Sequence, residues 1–546
     1  MRRDNFRGAD ALVAALARAG VSRLFTLSGN HIMPVFDAAL DAGLALIHTR
    51  HEAAAVHMAD AHARLTGEPA VALVTGGPGH ANAVSALYTA QMAESPIVLL
   101  SGHASSAQLG MGAFQEMRQA ELAAPVCKAA WTSRSADTLA IDLAHAVSTA
   151  RAGRPGPVQL NLPIDALEGA ARAGELPVPA QFHAQPMPLA PSVAEAMLER
   201  LRQARRPLIL LGPSCLARAG RQRSAALQAA SGIPAIGMES PRGVNDPSLG
   251  AFAQMLAQAD CLLLLGKRLD FTLRFGKPPA VAASCRFLQI DAEPGEFERT
   301  RRAVGSRLEA TAVAAAAAAV DALTRAAAAP AGTAASGWRD EVDAALRYRP
   351  AGWAGAASAL PGRLHPLQAL RPLQAILDSH PDSVFVCDGG EFGQWAQACL
   401  QAPDRVVNGV AGAIGAALPF ALGARVARPD APVVAVLGDG TFGFHAAEID
   451  TAVRCNLPFL AVVGNDARWN AEYQIQLRDY GAQRLVGCEL LPTRYGEVAR
   501  AFGGFGARVS EPAGLEAALQ QALQSGLPAC LDVMIEGLAA PDLRRA

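Results

Sequence analysis

Three stretches of this chain repeat one rhythm: a short apolar run, a Gly- or Pro-rich turn, then a helix-like pattern. From residue 6 to about 167 the runs include 71–74 (VALV) and 97–100 (IVLL). A second region carries 208–211 (LILL), 261–265 (CLLLL) and 287–290 (FLQI). A third, from about 364 to the end, carries 384–387 (VFVC), 433–437 (VVAVL) and 460–463 (LAVV). Strands buried on both faces read as unbroken apolar runs, and parallel neighbours need a crossover, usually a helix. The rhythm therefore predicts an α/β chain of three doubly wound parallel-sheet domains. A length of 546 residues, too great for one core, agrees. The domains are expected at 1–173, 190–328 and 360–546. The proline-rich stretch 174–192 reads as a linker, and 310–337 as an alanine-rich surface helix running into a second linker.

Composition narrows the function classes. A net charge of −1 with 18% charged residues does not suit a protein built to bind nucleic acid or an anionic membrane. The first nine residues, MRRDNFRGA, have no apolar run behind the arginines, so no secretory signal is expected. The longest apolar stretch, 312–320, stops at Asp321 and is too short to span a bilayer. Nine scattered cysteines without a CxxC pair read as reduced thiols of a cytoplasmic protein.

The densest chemistry lies in 433–466, VVAVLGDGTFGFHAAEIDTAVRCNLPFLAVVGND. One apolar run ends at Gly438-Asp439-Gly440 and the next at Asn465-Asp466. Both carboxylates are thus expected at the carboxyl ends of parallel strands, where open α/β sheets bind ligands. The glycines let backbone N–H groups approach a phosphate, and a helix expected to start near Thr441 aims its positive end there. Two carboxylates beside phosphates suit Mg²⁺, which takes oxygen ligands and shares phosphate oxygens. A turn aspartate in an ordinary strand–turn–helix is the plain alternative.

This segment resembles the diphosphate–magnesium motif of the thiamine diphosphate enzymes, which opens on GDG and closes on Asn-Asn. The resemblance implies Asp439, Asp466 and the main-chain carbonyl of Arg468 as metal ligands, with Gly438, Gly440 and Thr441 at the cofactor. Asp466 stands where the family has its second Asn, 27 positions after Asp439; it keeps an oxygen ligand and adds a negative charge. Upstream, 49–58 (TRHEAAAVHM) puts Glu52 in the first turn of a helix, a place glutamate takes for dipole reasons alone. In the family this RHE motif holds the glutamate that hydrogen-bonds the aminopyrimidine ring and activates the cofactor, which implies that role for Glu52. The stretch 75–80 (TGGPGH), with Gly77, resembles the family's glycine turn facing the cofactor. Segments 388–392 (DGGEF), with Glu391 and Phe392, and 409–419 (GVAGAIGAALP) complete the cofactor side. There Gly412 and Ile414 match the positions that hold the pyrimidine, Ile414 wedging the cofactor into its bent shape.

The resemblance covers nearly the whole chain, in the order pyrimidine, central and diphosphate domain. The branch it resembles most is that of acetolactate synthase large subunits, through 114–116 (FQE) and Lys128. Segment 28–32 (SGNHI) instead resembles benzaldehyde lyase, whose pocket uses a His and a Gln. That implies His31 and Gln115 as proton-transfer and hydrogen-bonding groups; a satisfied core or turn histidine is the alternative for His31. His48, His51, His57, His62 and His80 lack credible metal-ligand spacing and take no role. Arg154, Arg268 and Asp291 match family positions that hold an adenine nucleotide, a structural FAD or an ADP, although surface ion pairs also explain the two arginines. Segment 267–276 (KRLDFTLRFG) looks more like 2-hydroxyacyl-CoA lyases and oxalyl-CoA decarboxylases.

The implied enzyme makes or breaks carbon–carbon bonds next to the carbonyl of a small-molecule 2-oxo acid or 2-hydroxy ketone. Family members place the site between subunits, which implies a homodimer or homotetramer. A 2-hydroxyacyl-CoA lyase or oxalyl-CoA decarboxylase and a flavin-dependent pyruvate oxidase are the other implied activities. The stretch 467–476 (ARWNAEYQIQ) departs from biosynthetic acetolactate synthases. The basic tail 543–546 (LRRA) suits CoA phosphates as well as plain solvation.

Overall fold

In the computed structural model, which describes residues 6–172, 176–328 and 336–545, each apolar run named above is a strand of a parallel sheet. The first sheet holds β1 (Arg23–Thr26), β2 (Ala45–His48), β3 (Ala70–Val74), β4 (Ile97–His103), β5 (Ala129–Thr132) and β6 (Val158–Pro163). Its order is β2-β1-β3-β4-β6-β5. The central sheet holds β7 (Pro207–Leu211), β8 (Ala235–Gly237), β9 (Cys261–Leu265), β10 (Arg286–Asp291) and β11 (Leu308–Val313), in the order β11-β10-β9-β7-β8. The third holds β12 (Val384–Cys387), β13 (Asp404–Val407), β14 (Val433–Gly438), β15 (Leu460–Asn465), β16 (Phe505–Val509) and β17 (Ala529–Met534). Its order, β13-β12-β14-β15-β17-β16, repeats that of the first sheet position for position. In both, the order reverses beside the first strand, and the crevice above such a reversal is where ligands settle.

Three expectations change. Residues 308–313 form strand β11 against β10 and not the start of an alanine helix. The helix runs Ala316–Ala327 and buries Ala319, Val320 and Leu323, so it is a covering layer of the sheet. The second linker falls largely on 329–335, outside the described residues, and the helix Ser336–Arg347 packs Trp338, Val342 and Ala345 into the central core beyond the expected 190–328 segment. Of the first linker, 174 and 175 lie outside the described residues, while Phe182 and Leu189 are buried in the first and central cores.

The first and third sheets meet through the helix Glu52–Thr66, which follows β2, and the helix Ala417–Ala427, which follows β13. Small residues let these helices approach closely: a Cβ on Gly423 would lie 2.4 Å from the Met58 carbonyl oxygen. Hydrogen bonds tie the same junction. The Arg50 N–H donates to Glu448 (3.0 Å), and Arg64 donates to the Val407 carbonyl (2.7 Å).

Candidate functional site

At the carboxyl ends of β1 to β4, four expected residues share one rim. Glu52 opens its helix because His51, in extended conformation, caps it by accepting the Ala53 N–H on Nδ1 (3.1 Å). The Glu52 side chain is buried, and Oε2 accepts a hydrogen bond from Asn82 (3.0 Å). Oε1 faces the open side of Gly79, where a Cβ would stand 3.2 Å away, and accepts no hydrogen bond among the described residues. Gly77, with φ +59°, donates its N–H to Gln119 (2.8 Å). A Cβ on Gly77 would lie 2.6 Å from the Gln115 carbonyl, so both its backbone and its contacts require glycine. Gln115, itself at φ +57°, is thereby held against the glycine turn. His31 is buried, with Nδ1 3.3 Å from the Thr75 hydroxyl and its ring stacked on Phe114. Burial, reinforced by His103, holds His31 below the ordinary histidine pKa, so its imidazole is neutral at neutral pH.

The second cluster lies at the ends of β12, β14 and β15. The helix expected near Thr441 is a four-residue turn, Asp439–Phe442, and the next helix starts only at Glu448. The turn ends in Gly443, and Trp469 packs on Gly440, where a Cβ would lie 2.7 Å from its ring. The N–H groups of a short turn therefore face the cleft, not the end of a long helix. Asp439 accepts the Gly440 N–H on Oδ1 (3.0 Å), while its buried Oδ2 has no partner. Burial pushes Asp439 up to about 6. Burial and then the Asp439 charge push Asp466 up to about 7. Two buried carboxylates with an orphaned oxygen fit a hard divalent cation. Among the described residues no three His, Cys, Asp or Glu side chains gather to hold a metal. Further ligands for such a cation would come from the main chain, as with the Arg468 carbonyl, and from bound phosphate.

This cleft is lined by Gly389, Ile414, Gly438, Gly440, Thr441 and Arg468 together with the two acids. Buried Asp388 shapes its wall by accepting N–H groups of Gly389 (2.7 Å), Gly415 (3.0 Å) and Ala417 (3.1 Å). That fixes the loop with Gly412 (φ +69°) and leaves the Ile414 side chain exposed. Phe392 packs on Gly464, where a Cβ would meet its ring at 2.3 Å, and Glu391 accepts the Ala540 N–H (2.6 Å) from the C-terminal tail. In a single chain this cleft is lined without Glu52, His31 or Gln115. Sequence reasoning missed Asp388 and Asn82. The signal was at hand for both: Asp388 opens the segment 388–392, and Asn82 follows the glycine turn 75–80 by two residues.

The expected nucleotide cradle takes a different form. Arg154 is buried in ion pairs with both Glu94 and Asp291, and it donates to the Gly266 carbonyl (3.1 Å). Arg268 pairs with Glu296 (3.1 Å). At the end of β7, a Cβ on Gly212 would lie 2.1 Å from the Gly266 carbonyl oxygen, so the two strand ends close on each other. All three are engaged in ion pairs within the protein, the two arginines with carboxylates and Asp291 with Arg154, and do not fit a flavin or ADP as placed. Elsewhere, a cleft of about 560 Å³ opens between central loops and the C-terminal tail, lined by Arg274, Lys277, Pro278, Pro279, Leu543 and Arg544. Arg274 and Phe275 both take left-handed backbone (φ +49° and +54°), a costly conformation for side chains of this size. Buried Lys267 and Asp270 brace that loop through Thr272 (Lys267 Nζ to Thr272 Oγ1, 2.7 Å).

Comparison with known proteins follows this division. Family models described as thiamine pyrophosphate enzyme N-terminal TPP binding domain, central domain and C-terminal TPP binding domain match residues 6–122, 194–323 and 388–533. The chain is 33% identical to the acetolactate synthase large subunit IlvG of Mycobacterium tuberculosis, over 95% of this chain and 94% of that protein. It is 32% identical to 2-hydroxyacyl-CoA lyase 2 of Homo sapiens, over 92% of this chain and 85% of that protein. An acetolactate synthase large subunit of Parasynechococcus marenigrum is 29% identical over 97% of this chain and 87% of its own length.

Proposed function

This chain belongs to the thiamine pyrophosphate enzymes, and we propose that it is a Mg²⁺-dependent carboligase or lyase acting on 2-oxo acids or 2-hydroxy ketones. One observation carries the reading: Glu52 and Asp439 are buried acids that each keep one oxygen open, with Asp466 buried beside Asp439, at the strand ends of two sheets of equal topology. Thiamine diphosphate, when bound, supplies the carbon nucleophile that adds to a carbonyl and takes up the electron pair left when the neighbouring bond breaks. Asp439, Asp466 and the Arg468 carbonyl hold Mg²⁺, and the turn at Gly438, Gly440 and Thr441 receives the diphosphate. Gly412 and Ile414 hold the pyrimidine. Glu52 exchanges a proton with the cofactor ring through its open oxygen. Neutral His31 and Gln115 hold the substrate oxygen and move its proton.

Exposed apolar side chains rim both half-sites, Met111 and Phe114 on one and Ile414 and Phe444 on the other. Such patches mark association surfaces, which supports a homodimer or homotetramer whose clefts are each completed by a partner's first sheet. No helix among the described residues is long and apolar enough to cross a membrane; a cytoplasmic location belongs to the proposal. The engaged state of Arg154, Arg268 and Asp291 lends no support to structural FAD or ADP, so no flavin step enters. A second reading, 2-hydroxyacyl-CoA lyase, is favoured by the cleft at Arg274 and Lys277, whose charges suit a phosphorylated handle, Arg544 in its wall being paired with Asp542.

Product analysis after incubation with pyruvate, benzoin and a 2-hydroxyacyl-CoA tests the substrate. Removing and restoring Mg²⁺ and thiamine diphosphate should abolish and recover turnover; activity indifferent to both ends the proposal. Arg274→Ala is expected to raise KM for the CoA thioester alone, and an unchanged KM removes the second reading.

A further inference from the structure

The cleft at the third sheet differs from the family motif by one added carboxylate, Asp466. Beside it stands a cation, the Arg468 guanidinium, on the residue whose main-chain carbonyl the motif uses. The two side chains converge on Gly537, where a Cβ would lie 3.1 Å from Asp466 Oδ2 and 3.4 Å from Arg468 Nη1. The segment is held in place by an antiparallel bridge between Arg468 and Glu489 and by positive φ (+60°) at Ala467. The guanidinium rests on the Tyr473 ring, 4.2 Å from its centre, and lines the same cleft as Asp439 and Asp466. Among the described residues it makes no close ion pair, and its charge acts on Asp466 through space.

An added carboxylate beside a bound diphosphate repels it, and in a partly buried cleft the repulsion is poorly screened. Two carboxylates and a diphosphate together carry more negative charge than the +2 of Mg²⁺ offsets. A cation at similar range restores the balance. We infer that Arg468 is the counter-charge to Asp466, its guanidinium favouring the diphosphate that Asp466 disfavours. This role rests on the proposed Mg²⁺–diphosphate reading of the cleft and concerns cofactor binding, not the bond that is cleaved. Arg468 acts here as a binding residue through its side chain, separately from its main-chain carbonyl.

The test is isothermal titration of thiamine diphosphate into the full-length apo chain at saturating Mg²⁺, for wild type, Asp466→Asn, Arg468→Met and the double variant. Arg468→Met is expected to weaken binding at least tenfold and Asp466→Asn to tighten it. The double variant should return to within threefold of wild type, and Arg468→Lys should stay within threefold because it keeps the charge. Opposite and cancelling effects on binding support the pairing. The inference is overturned if Arg468→Met binds as tightly as wild type. It is equally overturned if Asp466→Asn weakens binding, or if the double variant stays as weak as Arg468→Met. Wild type that takes up no thiamine diphosphate with Mg²⁺ overturns the cleft reading itself, whereas tight wild-type binding with a failed rescue overturns only the pairing.

Discussion

The first and third sheets have one strand order and pack through equivalent helices, yet their acids stand in opposite surroundings. In the first, Glu52 has neutral neighbours: the amide of Asn82 and, across the rim, a His31 that burial keeps uncharged. A single acid among neutral donors can trade a proton. In the third, burial raises both Asp439 and Asp466, and the Asp439 charge raises Asp466 further. Two acids in that state call for a cation. The scaffold sets where ligands sit; the charge of the neighbours sets which chemistry each end performs.

The largest expected effect tests the first half of that contrast. Glu52→Gln keeps the size and the hydrogen bond to Asn82 but cannot trade the proton, so kcat should fall by about 10²- to 10⁴-fold, the usual worth of acid–base catalysis. Cofactor affinity measured by titration should change little. Wild-type turnover in this variant breaks the comparison.

Arg154→Met asks whether both sheets keep their places through the central one. It leaves Glu94 and Asp291 buried without their cation, and the loss should be roughly 3–5 kcal/mol in urea unfolding. A loss under 1 kcal/mol would show the cluster to be incidental.

Acid should weaken the first domain through buried His80 and half-buried His62. Burial lowers His62 and His80 from 6.5 to about 4. The unfolded chain takes up these protons near pH 6.5 and the folded chain only near 4, so their contribution is full above 6.5 and lost as pH falls toward 4. Each accounts for about 3 kcal/mol over that window. Melting curves from pH 8 to 4 check it, and His80→Gln should flatten the slope. The smallest effect concerns the junction: Gly423→Ala places a methyl against the Met58 carbonyl and should cost about 1–3 kcal/mol of stability. A neutral result means that the two helices can separate without loss.

Much of the fold was legible because buried parallel strands are written as unbroken apolar runs. Strand β11 was not, because LEATAV sits at the head of an alanine-rich stretch and shows its strand character only beside β10. The site was legible where glycines and acids cluster locally, at 75–80 and 438–466. It was illegible where partners are distant in sequence. Arg154 meets acids 60 and 137 positions away, which turned an expected nucleotide contact into an ion-pair cluster. The amide that orients Glu52 lies 30 positions on, just past the glycine turn 75–80, and only the folded chain shows which acid it meets.

By itself the sequence determined the three-sheet plan, the order of its parts and the residue types available at each strand end. Those depend on hydrophobic periodicity and turn chemistry, which act over a few residues. Tertiary structure decided which acids meet which partners: that Asp439 keeps an oxygen open, that Asp466 lies beside Arg468, and that Arg154 is already paired. Electrostatic interaction depends on distance and burial, and neither exists until the chain has folded.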